Sequence, residues 1–243
     1  MTRRIVVFAA FDKGGIVHNY VLTYLKKLKA VADKIIFIAD NEASETERQK
    51  LNGLADIAVF KPHGEYDFGL YKRGIAMAKR HGFLDGADEL ILCNDSCFSV
   101  GVFKGAFDKM TAEPCDFWGM CESVEQSRHL QSFFLVFKRS VFKNAAFCDF
   151  FDAVRKQPDF SAVVQTYEIP LLEHFEQEGF KGNAFVPPFS FSIRNGRTLF
   201  VRRADDPASV FHMPASAPCP RSSSNPFPRR TVSSRNADTV PYP

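Results

Sequence analysis

The chain has 243 residues, 45% of them hydrophobic and 24% charged, ordinary usage for a globular protein with a sizeable core. Its net charge of +3 resides in the C-terminal segment: from Phe200 onward there are six Arg, no Lys and three Asp, leaving 25 basic and 25 acidic residues in positions 1–199. A neutral body excludes nucleic acid as the main partner, because neutralising phosphates takes clustered Lys and Arg, and six cysteines without a CxxC pair or a zinc-like Cys/His spacing point to a reduced, cytoplasmic protein.

In chain order, residues 5–11 (IVVFAAF) form a short apolar run, the pattern of a parallel strand buried on both faces. The run is too short for the core of a signal peptide and ends at Asp12-Lys13-Gly14-Gly15. Val17, Val21, Leu25 and Leu28 then recur at helical spacing, and residues 34–39 (KIIFIA) give a second strand, so the chain opens as a βαβ unit. A Glu-rich helix over 42–50 and a strand over 55–60 follow. A helix begins near Asp67 and stops at Gly82. Residues 89–93 (ELILC) are the next strand, breaking at Asn94-Asp95-Ser96. Val102, Phe103, Ala106, Phe107 and Met110 fit one helical face. Strands are expected at 116–120 and 132–137, helices at 140–156 and 170–178, and a short strand at 184–186. Pro170 suits the first turn of its helix, where a missing N–H is no loss, and Gly179 caps the end. The 26 Phe residues supply most of the core, each worth roughly 1.5–3 kcal/mol on burial. Beyond Arg203, eight of the fourteen prolines fall within 207–243 with no Leu or Ile, so 204–243 is expected to be a disordered tail. The elements describe a single three-layer α/β domain over 1–203 with a mostly parallel sheet.

Three places carry candidate chemistry. Asn94, Asp95 and Ser96 follow a buried strand, and ligands of open α/β sheets bind beyond the carboxyl ends of strands; the same residues also suit an Asx turn that only reverses the chain. Asp67 is placed to N-cap a helix, with Lys72 and Arg73 one turn later able to face a diphosphate or to be solvated surface charges. Trp118 next to Gly119 suits either a sugar platform or core packing, and His129 and Gln131 precede a strand where they can bind hydroxyls or be structural. The signatures HExxH, GxSxG, GxGxxG and the Walker loop do not occur.

Together, YDFGLYKRG (66–74), ELILCNDSCF (89–98), CDFWGM (115–120), HLQSFFLVFK (129–138) and the Tyr167-Glu168 pair resemble the rhamnan synthesis F family, in order and at fitting intervals over most of residues 1–195. The resemblance implies a glycosyltransferase of the GT-A type, a nucleotide-diphospho-sugar transferase fold, working in the cytoplasm with peripheral association at the inner face of the membrane. It would transfer a hexose, with dTDP-rhamnose as the suggested donor, to a growing surface polysaccharide such as lipopolysaccharide or a lipid-linked oligosaccharide. Asp67, Lys72, Arg73, Asn94, Asp95 and Ser96 then face the donor. Asp95 stands where related folds bind Mg or Mn, but as a single carboxylate. Trp118, His129 and Gln131 face the sugar or acceptor. Glu168 is the expected base of an inverting reaction, its side chain projecting from a loop edge before the Pro170 helix, or else simply favouring the positive end of that helix; Asp116 is the fallback. The alternative is a non-catalytic nucleotide-sugar-binding or scaffold protein of polysaccharide biosynthesis.

Overall fold

The computed structural model describes residues 2–99 and 101–187, together with the backbone of two strands at Phe191–Arg194 and Arg197–Phe200. The expected disordered tail at 204–243 and Cys219 lie outside the described residues. The elements are β1 (Arg4–Ala10), α1 (Asn19–Lys29), β2 (Lys34–Ala39), α2 (Glu45–Gln49), β3 (Ile57–Phe60), α3 (Tyr66–Arg80), β4 (Glu89–Asn94), α4 (Phe103–Ala112), β5 (Phe117–Ser123), β6 (His129–Leu130) and β7 (Phe134–Lys138). They continue as α5 (Arg139–Phe142), α6 (Ala145–Ala153), α7 (Phe160–Val163), a π-helical turn (Val164–Glu168), α8 (Ile169–Gln177), β8 (Gly182–Val186) and an antiparallel pair, β9 (Phe191–Arg194) and β10 (Arg197–Phe200).

The main sheet runs β3-β2-β1-β4-β7-β5-β6, with β8 beside β5. Strands β3, β2, β1 and β4 are mutually parallel. β7 runs against both β4 and β5, so the sheet is mixed, although most strands share one direction. Alternation along β1 shows how the layers form: Ile5, Val7 and Ala9 join one core with α3 and α5 to α8, while Val6, Phe8 and Ala10 join the other with α1 and α4. Both faces of the strand are therefore buried, which is why it reads as a continuous apolar run. The phenylalanines fill both layers; Phe117 stacks on Phe137 at 5.8 Å, and Phe103 on Phe134 at 5.2 Å.

Two expected helices differ in the structure. The stretch 140–156 is split into α5 and α6, because the Asn144 side chain accepts from the N–H of Ala146 and starts a new helix. The helix expected to begin at Pro170 instead begins at Phe160, N-capped by Asp159, and runs on through Gln177. Pro170 has no N–H to give to the preceding turn, and the chain widens into a π turn there, closed by the N–H of Ile169 on the carbonyl of Val164. Gly74, in the middle of α3, is where that helix touches β1: a Cβ at this position would lie 2.2 Å from Val7 Cγ1. Gly74→Ala gains about 1 kcal/mol of helix propensity but overpacks a central strand, typically by ~1–3 kcal/mol and more at so short a contact. The expected result is a lower Tm, by several degrees in a thermal melt.

Candidate functional site

The parallel strands end at Ala10, Ala39, Phe60 and Asn94 on one edge of the sheet, and the polar residues that follow them meet there. After β1, Asp12 Oδ1 accepts from the N–H groups of Gly14 and Ile16, both at 2.9 Å, and Oδ2 lies 3.0 Å from His18 Nε2. Burial alone would raise the Asp12 carboxyl, but the Ile16 amide, His18 and the Gly14 amide together hold it below the usual carboxylate range. The Asp12 N–H donates to Asn41 Oδ1 at the end of β2. Asp40, beside it, accepts from the N–H groups of His63 and Gly64, tying down the loop after β3.

Asp95 is half-buried, and its Oδ2 accepts from the N–H of Phe11 at 3.1 Å. Protein surrounds the carboxyl on most sides, and this burial pushes it up to about 7; the Phe11 N–H opposes the rise, whereas the carboxylates of Asp67 and Asp12 add to it. Phe11, 60% exposed, forms with Ile16, Tyr20, Asn41 and Asp95 part of a shallow open cleft.

Asn94 is 2% exposed and turns inward. Its Nδ2 donates to Asp67 Oδ2 at 2.7 Å, and its Oδ1 accepts from the N–H of Ser96 at 3.0 Å. The Asx turn is thus present, and it stands at the carboxyl edge of the parallel strands. Asp67 is not the N-cap of α3: Glu65 holds that position, and Asp67 lies in the first turn with its side chain on Asn94. Lys72 and Arg73 are both committed to protein groups. Lys72 Nζ donates to the carbonyls of Asp152 and Val154 at the end of α6, where a cation complements the helix C-terminus, and Arg73 Nε pairs with Glu65 at 2.9 Å.

Next to this turn, the N–H of Asn94 donates to the carbonyl of Phe133, so the residues entering β7 share the edge. The N–H and hydroxyl of Ser132 both donate to Glu168 Oε2, and the hydroxyl of buried Tyr71 donates to the Ser132 carbonyl at 2.9 Å. Asp67 and Tyr71, one turn apart on α3, therefore reach Asn94 and Ser132 respectively. Glu168 is neither on a loop edge nor at the positive end of a helix. It closes the π turn in the interior of a longer helix, so both of its sequence readings are corrected. His129 is buried in β6 near Glu168, and Gln131 is half-buried with its N–H on the carbonyl of Cys121.

Two candidates lie elsewhere. Trp118 is 1% exposed, packed against Phe107 at 5.3 Å and Phe134 at 5.9 Å, so it is core and cannot offer a face to a sugar. Asp116 precedes Phe117, which is level with Phe137 and hence with Leu90. It therefore lies at the opposite edge, roughly 20 Å from Asp95 at the rise of an extended strand, where it accepts from the N–H of Lys181. Asp12, Asn41, Asp40, Ser132 and Tyr71 were not picked out from sequence. Asp12 carried the same signal as Asp95, a carboxylate just past a buried strand.

Among the described residues no group of three or more His, Cys, Asp or Glu side chains is arranged to hold a metal. Asp95 is the one carboxylate of the 94–96 turn, a number that suffices only for an ion that keeps other ligands, and its repulsion with Asp67 and Asp12 is of the kind a cation would relieve.

A family model described as rhamnan synthesis protein F matches residues 35–201. The chain is 22% identical over 159 residues to an uncharacterized protein, y4gN, of Sinorhizobium fredii, covering 63% of this chain and 41% of that protein. It is 25% identical over 134 residues to virulence protein VirA of Vibrio anguillarum, covering 54% and 43%. The chain thus spans about two fifths of the length of these relatives. Among solved structures, it superposes on a protein from Desulfovibrio desulfuricans G20 assigned as a nucleotide-diphospho-sugar transferase, with a TM-score of 0.47 and 15% identity over 77% of this chain and 81% of that one. For a 4-diphosphocytidyl-2C-methyl-D-erythritol synthase the TM-score is 0.49, with 9% identity over 84% and 95%. Such likenesses say nothing of what the chain binds.

Proposed function

We propose that this chain, which belongs to the rhamnan synthesis protein F family, is an inverting glycosyltransferase that moves a hexose, with rhamnose as the leading candidate, from a nucleoside-diphosphate donor to a hydroxyl of a surface polysaccharide or lipid-linked glycan. The observation that carries the reading is that two carboxylates of different surroundings stand on one sheet edge. Asp95 follows β4 beside the open cleft, and Glu168 is held at the entry to β7 by Ser132. The donor occupies the cleft at Phe11, Asn41 and Asp95, with its diphosphate towards the 94–96 turn. Asp95, backed by Asp67, would hold a divalent cation, which when bound supplies positive charge to the leaving diphosphate. Glu168 takes the proton of the attacking acceptor hydroxyl, while Asn94 and Asp67 fix the turn. None of the described helices is long and apolar enough to cross a membrane; we place the protein in the cytoplasm, meeting a lipid-linked acceptor at the inner membrane face.

The test is a thermal-shift panel of nucleoside diphosphates and their sugars, dTDP-rhamnose among them. A ligand at a hundred times its Kd stabilises the folded state by about 2.7 kcal/mol, several degrees in a chain of this size. One nucleotide series is expected to stand out, and its sugar to be consumed. Stabilisation without turnover would favour the scaffold alternative, and a flat panel on folded protein would remove the donor site.

A further inference from the structure

The two oxygens of Glu168 have unlike surroundings. Oε2 accepts from both the N–H and the hydroxyl of Ser132. Oε1 faces His129 Nε2 at 4.0 Å, too long for a hydrogen bond. The other ring nitrogen of His129, Nδ1, lies 2.8 Å from the carbonyl oxygen of Ser127. A carbonyl only accepts, so Nδ1 donates to Ser127, and Nε2 is the ring nitrogen that faces Oε1. His129 is 5% exposed, and its place is fixed on two sides. It pairs with Ser123 across β5 and β6, and Arg128 next to it bridges Glu122 at 3.1 Å and Glu176 of α8 at 2.9 Å. A ring nitrogen and a carboxylate oxygen, each able to hold a proton, therefore face each other in a largely buried place. A proton taken from a hydroxyl at Oε1 has a second base within reach at Nε2, and contacts of this kind are often long before substrate binds and tighten afterwards.

We propose that His129 is a positioning and proton-sharing partner of Glu168, an inference that rests on the reading of Glu168 as the base. In the transfer step the acceptor oxygen bonds to the anomeric carbon as its O–H bond breaks, and the bond from that carbon to the donor diphosphate breaks with its electron pair leaving on the diphosphate. The proton passes to Glu168 Oε1 and is shared with His129 Nε2. The resulting imidazolium donates from Nε2 to Glu168 and from Nδ1 to the Ser127 carbonyl, so the proton is held between two bases while product leaves.

Two variants isolate the contribution of Nε2. In His129→Asn the side-chain amide stands near the place of Nδ1 and retains the bond to Ser127; in His129→Gln it stands near the place of Nε2 but is not basic. Rates are followed as release of nucleoside diphosphate from the donor sugar that stabilises the protein most, with a lipid-linked glycan as acceptor. Both variants are expected to lower kcat by about tenfold or more, with donor KM within about twofold. In a Glu168→Gln background neither should lower the rate further, because His129 acts only through Glu168. Near-normal kcat in both, or losses that add to that of Glu168→Gln, overturns the pairing. The base reading fails separately: near-normal transfer by Glu168→Gln removes that reading and the pairing with it, whereas an inactive Glu168→Gln beside a fully active His129→Asn removes the pairing alone.

Discussion

Asp95→Asn is expected to weaken donor binding or turnover at least tenfold, about 1.4 kcal/mol, while raising the Tm of the ligand-free protein above neutral pH. The two effects have one cause. Burial and the neighbouring carboxylates of Asp67 and Asp12 lift Asp95 to about 7, far above the value of an unfolded chain. Between the unfolded and folded values the folded protein holds the extra proton, so stability falls as pH rises from about 4 to about 7 and stays reduced beyond. The ceiling on that penalty is ~4 kcal/mol. Solvent reaching a half-buried side chain brings the expectation to about 1–2 kcal/mol, a few degrees of Tm. Asn does not ionise, and its Oδ1 can still accept from the Phe11 N–H, so the variant should melt higher than the wild type at pH 8, with the gap narrowing towards pH 5. Donor affinity should move the opposite way, because the carboxylate that destabilises the ligand-free protein is the one we propose to engage the donor or its cation. Unchanged affinity and rate in a folded Asp95→Asn protein would remove Asp95 from the site, and a Tm gap that widens on acidification would contradict the burial argument.

What the sequence made legible follows from how local each signal is. The strands at the centre of the sheet are buried on both faces, so their apolar runs needed no partner to be recognised, and the Asn94-Asp95-Ser96 turn stood out because it ended one of them. The site's other half is made by pairings far apart in the chain. Ser132 and Glu168 are 36 residues apart, and Lys72 finds its carbonyls 80 and 82 residues away. No window around Lys72 could show that its charge was already engaged by the end of α6. Trp118 illustrates a different limit: Trp next to Gly is the same local pattern whether the ring faces solvent or core, and only the packing of α4 over β5, through Phe107, decides it. The helix carrying Glu168 was misread because Pro170 is a sound local start signal. The structure carries the helix past it by widening one turn, at a point where Tyr167 packs on Phe68 at 5.5 Å and its hydroxyl accepts from the N–H of Arg155. Those tertiary contacts override the local preference.

Glu168→Gln is the variant with the largest expected loss, a fall in transfer of about 10²–10⁴-fold, the usual contribution of a general base. The substitution is close to isosteric, and the Gln carbonyl oxygen can keep both bonds from Ser132, so the π turn and its junction with β7 should survive. Tm and donor affinity are therefore expected to stay near wild type. That expectation separates the base from a structural clamp, which Glu168 also resembles: it joins the helix to the strand entry through Ser132, and Tyr71 holds the same residue from α3. If clamping were its whole role, Gln would serve nearly as well, and Glu168→Ala would lower Tm and rate together. If it is the base, Gln fails in chemistry while succeeding as a clamp, because a neutral amide cannot take a proton from a hydroxyl. Transfer rates in Glu168→Gln, read beside its melting curve and its donor titration, decide between the two. A stable variant that binds donor and transfers sugar at near-normal rate would leave Glu168 a clamp and require the proton to go elsewhere on this edge.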